Sequence, residues 1–375
     1  MINYGLVGYG LNGFSHVMEL SKFPILQGRS NLVAGFDPNP EATQKLKELN
    51  EVKAAKSFDD FLDTPELDAI IISSPPRFHA EQAVAALESG LHVFSEVPMA
   101  IEEKFLEKII AAEDQSGKIY LLGENYCFFS EVLYAGYLAS SGKIGPIVYA
   151  ESEYLHDVTY RWRKERHGDV DVPRVDSWYQ QFDPLMYAHS IGPAQVAMGG
   201  IENPMPFIEV VSYSNDIGGF EGKPICSPAK AFHVGLFRTE TGAIAKCANA
   251  FIFAREPTRI IIQVVGRTGT YECYQIDKPG KLFLADGHKI TISLHRKGRS
   301  KKIDKDKLAE IVPSLDGLHY GASTRIMNEW LTAIENNKKS PIHAKIGANF
   351  CLAGIAASQS ARSGGKPIKI KQFIE

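Results

Sequence analysis

Three glycines near the start of the chain are spaced for phosphate chemistry. Gly8-Tyr9-Gly10-Leu11-Asn12-Gly13 fits G-x-G-x-x-G, directly after an apolar run ending in Leu6-Val7 and before a helical stretch beginning near Phe14. In that setting the first glycine permits a tight turn, the second lets the backbone approach a diphosphate, and the third lets helix pack on strand. Gly8, Gly10, Leu11, Asn12 and Gly13 are therefore candidate cofactor-binding residues at the positive end of a helix. Asp37 ends the next strand-like run, near the ~20-residue distance at which a carboxylate accepts hydrogen bonds from the adenosine ribose hydroxyls. A free carboxylate there repels a 2′-phosphate, which favours NAD over NADP. The other reading of Asp37 is a turn former ahead of Pro38. There is no G-x-S-x-G elbow of a serine hydrolase. The eleven histidines are scattered, and the adjacent His156 and Asp157 have no second pair at ligand spacing, so no metal site is predicted.

These residues need a scaffold, and strand and helix signals alternate through the first ~120 residues as they do in a parallel sheet with crossover helices. Strands are expected at Leu6-Val7, at 31–36, at 69–72, at 91–94 and at 119–122, with a helix over 80–89 that Gly90 stops. After about residue 123 β-branched and aromatic segments follow one another closely, at 147–155, 207–213, 231–237, 243–253 and 260–265. They predict an antiparallel sheet with one covered face, and helices over 324–335 and 348–362 close the chain. The fold class expected is α/β: a Rossmann doubly wound parallel sheet over residues 1–123, then an α+β domain over 124–375 with a large, mostly antiparallel open-faced sheet. Ligands of such folds bind in a cleft beside the carboxyl ends of the parallel strands.

Further segments resemble the Gfo/Idh/MocA family of nicotinamide-dependent sugar and polyol oxidoreductases, and the likeness covers nearly the whole chain. Ser74-Pro75-Pro76-Arg77-Phe78-His79 resembles the family's T-P-x-x-x-H loop, Gly90 to Pro98 its G-x-H-V-x-x-E-K-P segment, and Ser363 to Ile368 its C-terminal helix end and last strand. The lysine of E-K-P is replaced by Val97, which cannot donate, accept or carry a proton, and the aspartates that flank the family's central histidine are Leu185 and Gly192 around His189. Glu96-Val97-Pro98, Glu124-Asn125-Tyr126, Glu151 to Asp157, Trp162-Arg163 and His189 to Pro193 resemble, in the same order, segments of one branch, the NAD-dependent glycosidases of glycoside hydrolase family 109. That branch has tyrosine three residues before the histidine. Here Met186 stands there, and Tyr187 follows it.

The resemblance implies NAD as cofactor, held also by Ser74, Pro75, His79, Glu96 and Asn125, the last two at the nicotinamide ribose and at the nicotinamide or substrate. Hydride transfer from a carbinol needs a base for the hydroxyl proton, and His189 is the best candidate, because imidazoles as a class exchange protons near neutrality. Its other reading is a core histidine. Tyr187 shares the ligand with His189 if the stretch is extended, whereas in a regular helix from Pro184 the two side chains diverge. Tyr126 is the second candidate phenol, or a core aromatic. His156, Asp157, Trp162 and Arg163 are candidate sugar contacts, because apolar sugar faces stack on aromatics and Arg forks onto vicinal hydroxyls. Their other reading is a solvated loop.

The balance of 41 basic and 44 acidic residues, net charge −3, gives no footprint for nucleic acid or a membrane surface. Five cysteines, far apart and odd in number, read as reduced thiols. No basic, apolar leader pattern and no bilayer-length apolar run occurs, so a cytoplasmic protein is expected. The expected function is an NAD-dependent oxidoreductase acting on a sugar, sugar derivative or cyclic polyol. The alternatives are a glycosidase that oxidises transiently, eliminates, adds water and re-reduces, and a non-catalytic NAD-binding regulator. A carbohydrate is the expected partner, and family likeness implies a homodimer or homotetramer assembled through the large sheet.

Overall fold

The computed structural model describes residues 1–49, 52–156, 183–216, 230–251, 259–276, 278–294 and 316–373. The chain forms two compact units, Met1–Phe128 with Leu315–Ala348 and Phe373–Glu375, and Phe129–Ser314 with Asn349–Gln372. The expected boundary at 123/124 therefore differs from the observed one, because a segment near the C-terminus returns to the first unit.

The first unit is a six-stranded parallel sheet in the order β3-β2-β1-β4-β5-β6. Its strands are β1 (Ile2–Val7), β2 (Ser30–Phe36), β3 (Lys53–Ala54), β4 (Ala69–Ile72), β5 (His92–Ser95) and β6 (Tyr120–Leu122). The run Ala69-Ile70-Ile71-Ile72 is fully buried, as a central parallel strand covered on both faces must be. Between strands lie α1 (Leu11–Lys22), α2 (Pro40–Lys47), α3 (Phe58–Leu62), α4 (Pro76–Glu88) and α5 (Glu103–Ser116). Helix α4 opens on Pro76, whose missing N–H costs nothing in a first turn, and ends at Ser89 before Gly90. The strand order reverses between β1 and β4, and such a switch point leaves a crevice beyond the strands' carboxyl ends.

The returning helix α8 (Ala322–Glu335) completes this unit. Its Trp330, fully buried, packs edge-on against Phe94 of β5 with ring centroids 5.7 Å apart. The Arg29 guanidinium forks onto the Glu335 carboxylate, Nε to Oε1 at 2.9 Å and Nη2 to Oε2 at 2.6 Å. A buried Glu113 on α5 accepts the amide of Tyr120 and, at 3.0 Å, the amide of Ala344, the first residue of α9 (Ala344–Arg362). Burial pushes the Glu113 carboxyl up to about 7.

The second unit is a nine-stranded sheet in the order β14-β13-β12-β11-β7-β10-β9-β8-β15. Its strands are β7 (Ile147–Leu155), β8 (Phe207–Asp216), β9 (Lys230–Thr239), β10 (Ile244–Ala250), β11 (Arg259–Gly266), β12 (Gly269–Cys273), β13 (Gly280–Leu284), β14 (Lys289–Ile292) and β15 (Ile368–Lys369). All neighbours pair antiparallel except β7 and β10, which run parallel with Tyr154 opposite Asn249. Helices α6 (Ser130–Ser140) and α7 (Ile191–Gly199) cross closely, since a Cβ on Gly136 would lie 2.6 Å from the Val196 carbonyl oxygen. One sheet face carries the exposed side chains Tyr213, Leu236 and Ile244. Cys127, Cys247, Cys273 and Cys351 are buried free thiols, and among the described residues no helix is long and apolar enough to cross a membrane.

Candidate active site

The glycine loop has the shape its spacing predicts. Gly8, just past β1, has φ +89°, and a Cβ there would lie 2.6 Å from the Ser73 carbonyl, so only glycine lets β1 and β4 end this close together. A Cβ on Gly13 would meet the Gly8 carbonyl oxygen at 2.1 Å, which fixes the third glycine. Helix α1 begins at Leu11, earlier than the expected Phe14, because the low-propensity Gly13 sits inside its first turn. Gly10 is its N-cap with no side-chain cap hydrogen bond, and no acidic residue occupies the first turn. A Cβ on Gly10 would meet nothing within 4 Å. Uncapped amides at a positive helix end beside open space fit the diphosphate of a dinucleotide.

Asp37 takes the turn-forming role among its expected readings. Its Oδ1 accepts the Asn39 amide, closing a turn, and its Oδ2 accepts the Tyr9 amide, both at 2.8 Å. The carboxylate thus fastens the end of β2 to the glycine loop, and its remaining lone pairs suit ribose hydroxyls. Ser74 Oγ donates to Gln82, and Pro75 is the N-cap residue of α4. His79 is fully buried with its ring nitrogens 2.9 Å from the Pro98 carbonyl oxygen and 2.7 Å from that of Ser74. Burial draws its pKa below the ordinary imidazole value. This ring ties the loop after β4 to the loop after β5.

Three other residues meet in this unit. Glu96, past β5, lies 2.6 Å from Nε2 of His16 on α1, and the His16 ring packs edge-on against Phe94. Asn125 and the buried Tyr126 belong to a single helical turn, Asn125–Phe128, after β6. Arg325 of α8 donates to the Phe128 carbonyl at 2.8 Å, and Asn125 Nδ2 lies 3.2 Å from both His319 Nδ1 and Ser323 Oγ. The Tyr126 and His319 ring centroids are 5.7 Å apart.

The second unit assembles an aromatic cluster at the carboxyl ends of its parallel pair. Tyr154 lies near the end of β7, His156 follows it, and Phe251 follows β10. Tyr154 Oη is 2.7 Å from His156 Nδ1. Residues Pro184–Tyr187 form a 3-10 turn, Ala188 takes a left-handed conformation at φ 62°, and α7 starts at Ile191. Neither a regular helix from Pro184 nor an extended stretch describes this segment. The left-handed residue turns the chain so that Tyr187 and His189 rings stack at 26°, centroids 6.4 Å apart. Tyr154 stands 4.7 Å from His189, and Tyr187 packs edge-on against Phe251 at 5.0 Å. The turn is anchored by Asn249 Nδ2 donating to the Pro184 carbonyl at 2.8 Å, and by Ser358 Oγ donating to Asp183. Asp157, Trp162 and Arg163 lie outside the described residues. No metal-binding cluster occurs among the described residues.

Residues 2–124 match the model of the Gfo/Idh/MocA oxidoreductases, described as an oxidoreductase family with an NAD-binding Rossmann fold. The N-terminal domain is thus similar to that family. Over 205 residues the chain is 27% identical to a glycosyl hydrolase family 109 protein of Shewanella baltica, a match taking in 53% of this chain and 44% of that protein. An alpha-N-acetylgalactosaminidase of Shewanella oneidensis matches at 27% identity over the same shares of each chain. The match thus spans less than half the length of these curated relatives. A levoglucosan dehydrogenase in complex with NADH and levoglucosan shares the fold at TM-score 0.78 and 18% identity, over 99% of this chain and 100% of that one. The WlbA dehydrogenase of Bordetella pertussis, in complex with NADH and UDP-GlcNAcA, does so at TM-score 0.78 and 19% identity, over 99% and 98%. At these identities the likeness is one of fold.

The matched family is described as NAD-binding, and Val97, where the resembling motif carries lysine, is buried. His16, His319 and Tyr154 are neighbours of the candidate site residues that sequence spacing missed. Their partners lie 80, 194 and 35 residues away in His16–Glu96, Asn125–His319 and Tyr154–His189, and no local pattern encodes such pairings.

Proposed function

We propose that the protein is an NAD-dependent oxidoreductase acting on a ring hydroxyl of a sugar, sugar derivative or cyclic polyol. The observation that carries this reading is His189 held between the rings of Tyr154 and Tyr187 by a left-handed turn at Ala188. Gly8, Gly10, Leu11, Asn12 and Gly13 would hold the diphosphate, Asp37 the adenosine ribose, and Glu96 and Asn125 the nicotinamide end. NAD, when bound, supplies the hydride acceptor. His189 takes the proton of the reacting hydroxyl as its C–O becomes C=O, and Tyr187 hydrogen-bonds the same oxygen. Tyr126 and His156 are retained as proposed substrate contacts. Val97 adds no proton carrier, which leaves the acid–base step to His189. Asp157, Trp162 and Arg163 are retained as proposed sugar contacts.

The test is a panel of free sugars and cyclitols with NAD, read by absorbance of the reduced nicotinamide. Turnover by the protein and its loss in His189→Ala support the proposal. NAD binding with no reduction by any of them counts against it.

Similarity to glycosyl hydrolase family 109 proteins favours a second reading, a glycosidase that keeps its NAD. Oxidation of a ring hydroxyl acidifies the neighbouring C–H, the aglycone leaves by elimination, water adds, and the hydride returns. Release of a chromogenic aglycone with no net NADH distinguishes it. We further propose a cytoplasmic homodimer or homotetramer joined through the sheet face bearing Tyr213, Leu236 and Ile244, which light scattering tests.

A further inference from the structure

Residues Gly317 to Gly321 form a strained loop that the chemistry above leaves unused. His319 and Tyr320 are consecutive left-handed residues, φ 52° and 56°, each bearing a side chain that disfavours that conformation. Such strain persists where surrounding structure over-determines it. Here the holds are visible. The buried carboxylate of Glu19, on α1, accepts the Leu318 amide at 2.8 Å and the Thr324 hydroxyl at 2.7 Å. A Cβ on Gly317 would lie 1.9 Å from Thr324 Oγ1, so the loop closes against α8 only through glycine.

What the loop delivers is the His319 ring, at 3.2 Å from Asn125 Nδ2 and 2.9 Å from Ser323 Oγ, both through Nδ1. An amide nitrogen only donates, so a neutral ring with its proton on Nε2 is the form that accepts at Nδ1. The Asn125 amide nitrogen is equally 3.2 Å from Ser323 Oγ, so one N–H is shared between the hydroxyl oxygen and the ring nitrogen. The amide nitrogen thus faces the histidine–serine pair. Among the described residues, no group donates to Asn125 Oδ1.

We propose that His319 is a positioning residue that fixes the orientation of the Asn125 amide, so that Asn125 offers an acceptor, Oδ1, to the N–H of the nicotinamide carboxamide. This rests on the NAD reading above. A protonated or absent imidazole leaves the amide free to flip and offer its nitrogen instead, which matches a carboxamide poorly.

The test compares NAD with 3-acetylpyridine adenine dinucleotide, in which a methyl replaces the carboxamide nitrogen, and with ADP-ribose, which lacks the ring. Calorimetry on the full chain gives the ratio of the two dinucleotide dissociation constants. Wild type is expected to favour NAD by about three- to tenfold, the size of one hydrogen bond. His319→Ala and Ser323→Ala should each bring the ratio towards one, with ADP-ribose binding unchanged. His319→Gln, whose side-chain oxygen can accept from Asn125, should restore part of it. Two variants guard against a folding defect in one, and thermal melts identify it. A wild-type ratio near one, or a ratio that neither substitution moves, overturns the proposal. Failure of NAD and ADP-ribose alike to bind overturns the cofactor reading itself.

Discussion

His189 concentrates the chemistry assigned to the second unit. Removing its imidazole is expected to lower kcat by about 10²–10⁴-fold, the usual worth of a positioned acid or base, while NAD affinity measured by calorimetry stays within about twofold because the cofactor loop lies in the other unit. Two further groups give pH dependence of opposite sign. Burial pulls His92, whose Nδ1 accepts the Ile119 amide, from 6.5 down to about 4. Below pH 6.5 the unfolded chain takes up a proton that the folded chain refuses, so stability is lost as pH falls through that window. Glu113, raised from 4.5 to about 7, behaves in reverse: above pH 4.5 the unfolded chain has released a proton that the folded one keeps, and stability is lost as pH rises towards 7. Between 4.5 and 6.5 the two slopes oppose each other. Urea unfolding of His92→Gln should show stability falling with rising pH across this range, by at most ~1.4 kcal/mol per pH unit. Glu113→Gln should show it rising, less steeply, because His92 is the more solvated group. Parallel pH profiles for the two variants would refute this pairing.

At the scale of elements, the turn over Pro184–Tyr187 and Ala188 decides whether the two rings proposed as catalytic meet. Ala188→Gly removes the side chain's penalty at φ 62° and should stabilise the second unit by about 1 kcal/mol, seen as a higher Tm. If Tm falls instead, the extra freedom of glycine in the unfolded chain outweighs that relief. This turn was not legible in the sequence, since a left-handed alanine has no propensity signature. Elements with strong patterns were legible: Ala69–Ile72 as a strand, Ile147–Leu155 to its observed ends, and α4 at its Gly90 stop, although it starts at Pro76 and not at the expected residue 80. The two-residue β3 and the short strands β12 to β14, with glycines at Gly269 and Gly280 and exposed lysines, carry too little apolar alternation to be seen. Within the candidate site, the glycine loop and the Asp37 turn are nominated by residue type and spacing, and His189 with the help of the family resemblance. The partners His16, Tyr154 and His319 needed the tertiary structure.

For the whole molecule, the segment Leu315–Ala348 matters most, because it makes the NAD-binding unit discontinuous in sequence. A fragment of residues 1–128 has every cofactor-loop residue but lacks Trp330 against Phe94, the fork of Arg29 onto Glu335 and the Glu19 contacts to Leu318 and Thr324. Loss of a buried Trp side chain alone costs about 3–5 kcal/mol, a large share of a domain's ~5–15 kcal/mol. The fragment is therefore expected to show no cooperative thermal transition and no measurable NAD binding, whereas the full chain shows both. Trp330→Ala in the full chain should lower stability by the same ~3–5 kcal/mol in urea titration. A fragment that melts cooperatively and binds NAD would mean that the first six strands need no return segment.

That discontinuity also has a consequence during synthesis. Roughly 200 residues separate Phe128 from Trp330, and at ~5–20 residues per second a ribosome takes on the order of 10–40 s to make them. Throughout that interval the nascent β5 surface around Phe94 lacks its cover, so the protein's yield in cells should respond to translation speed and to the supply of chaperones that shield apolar surface.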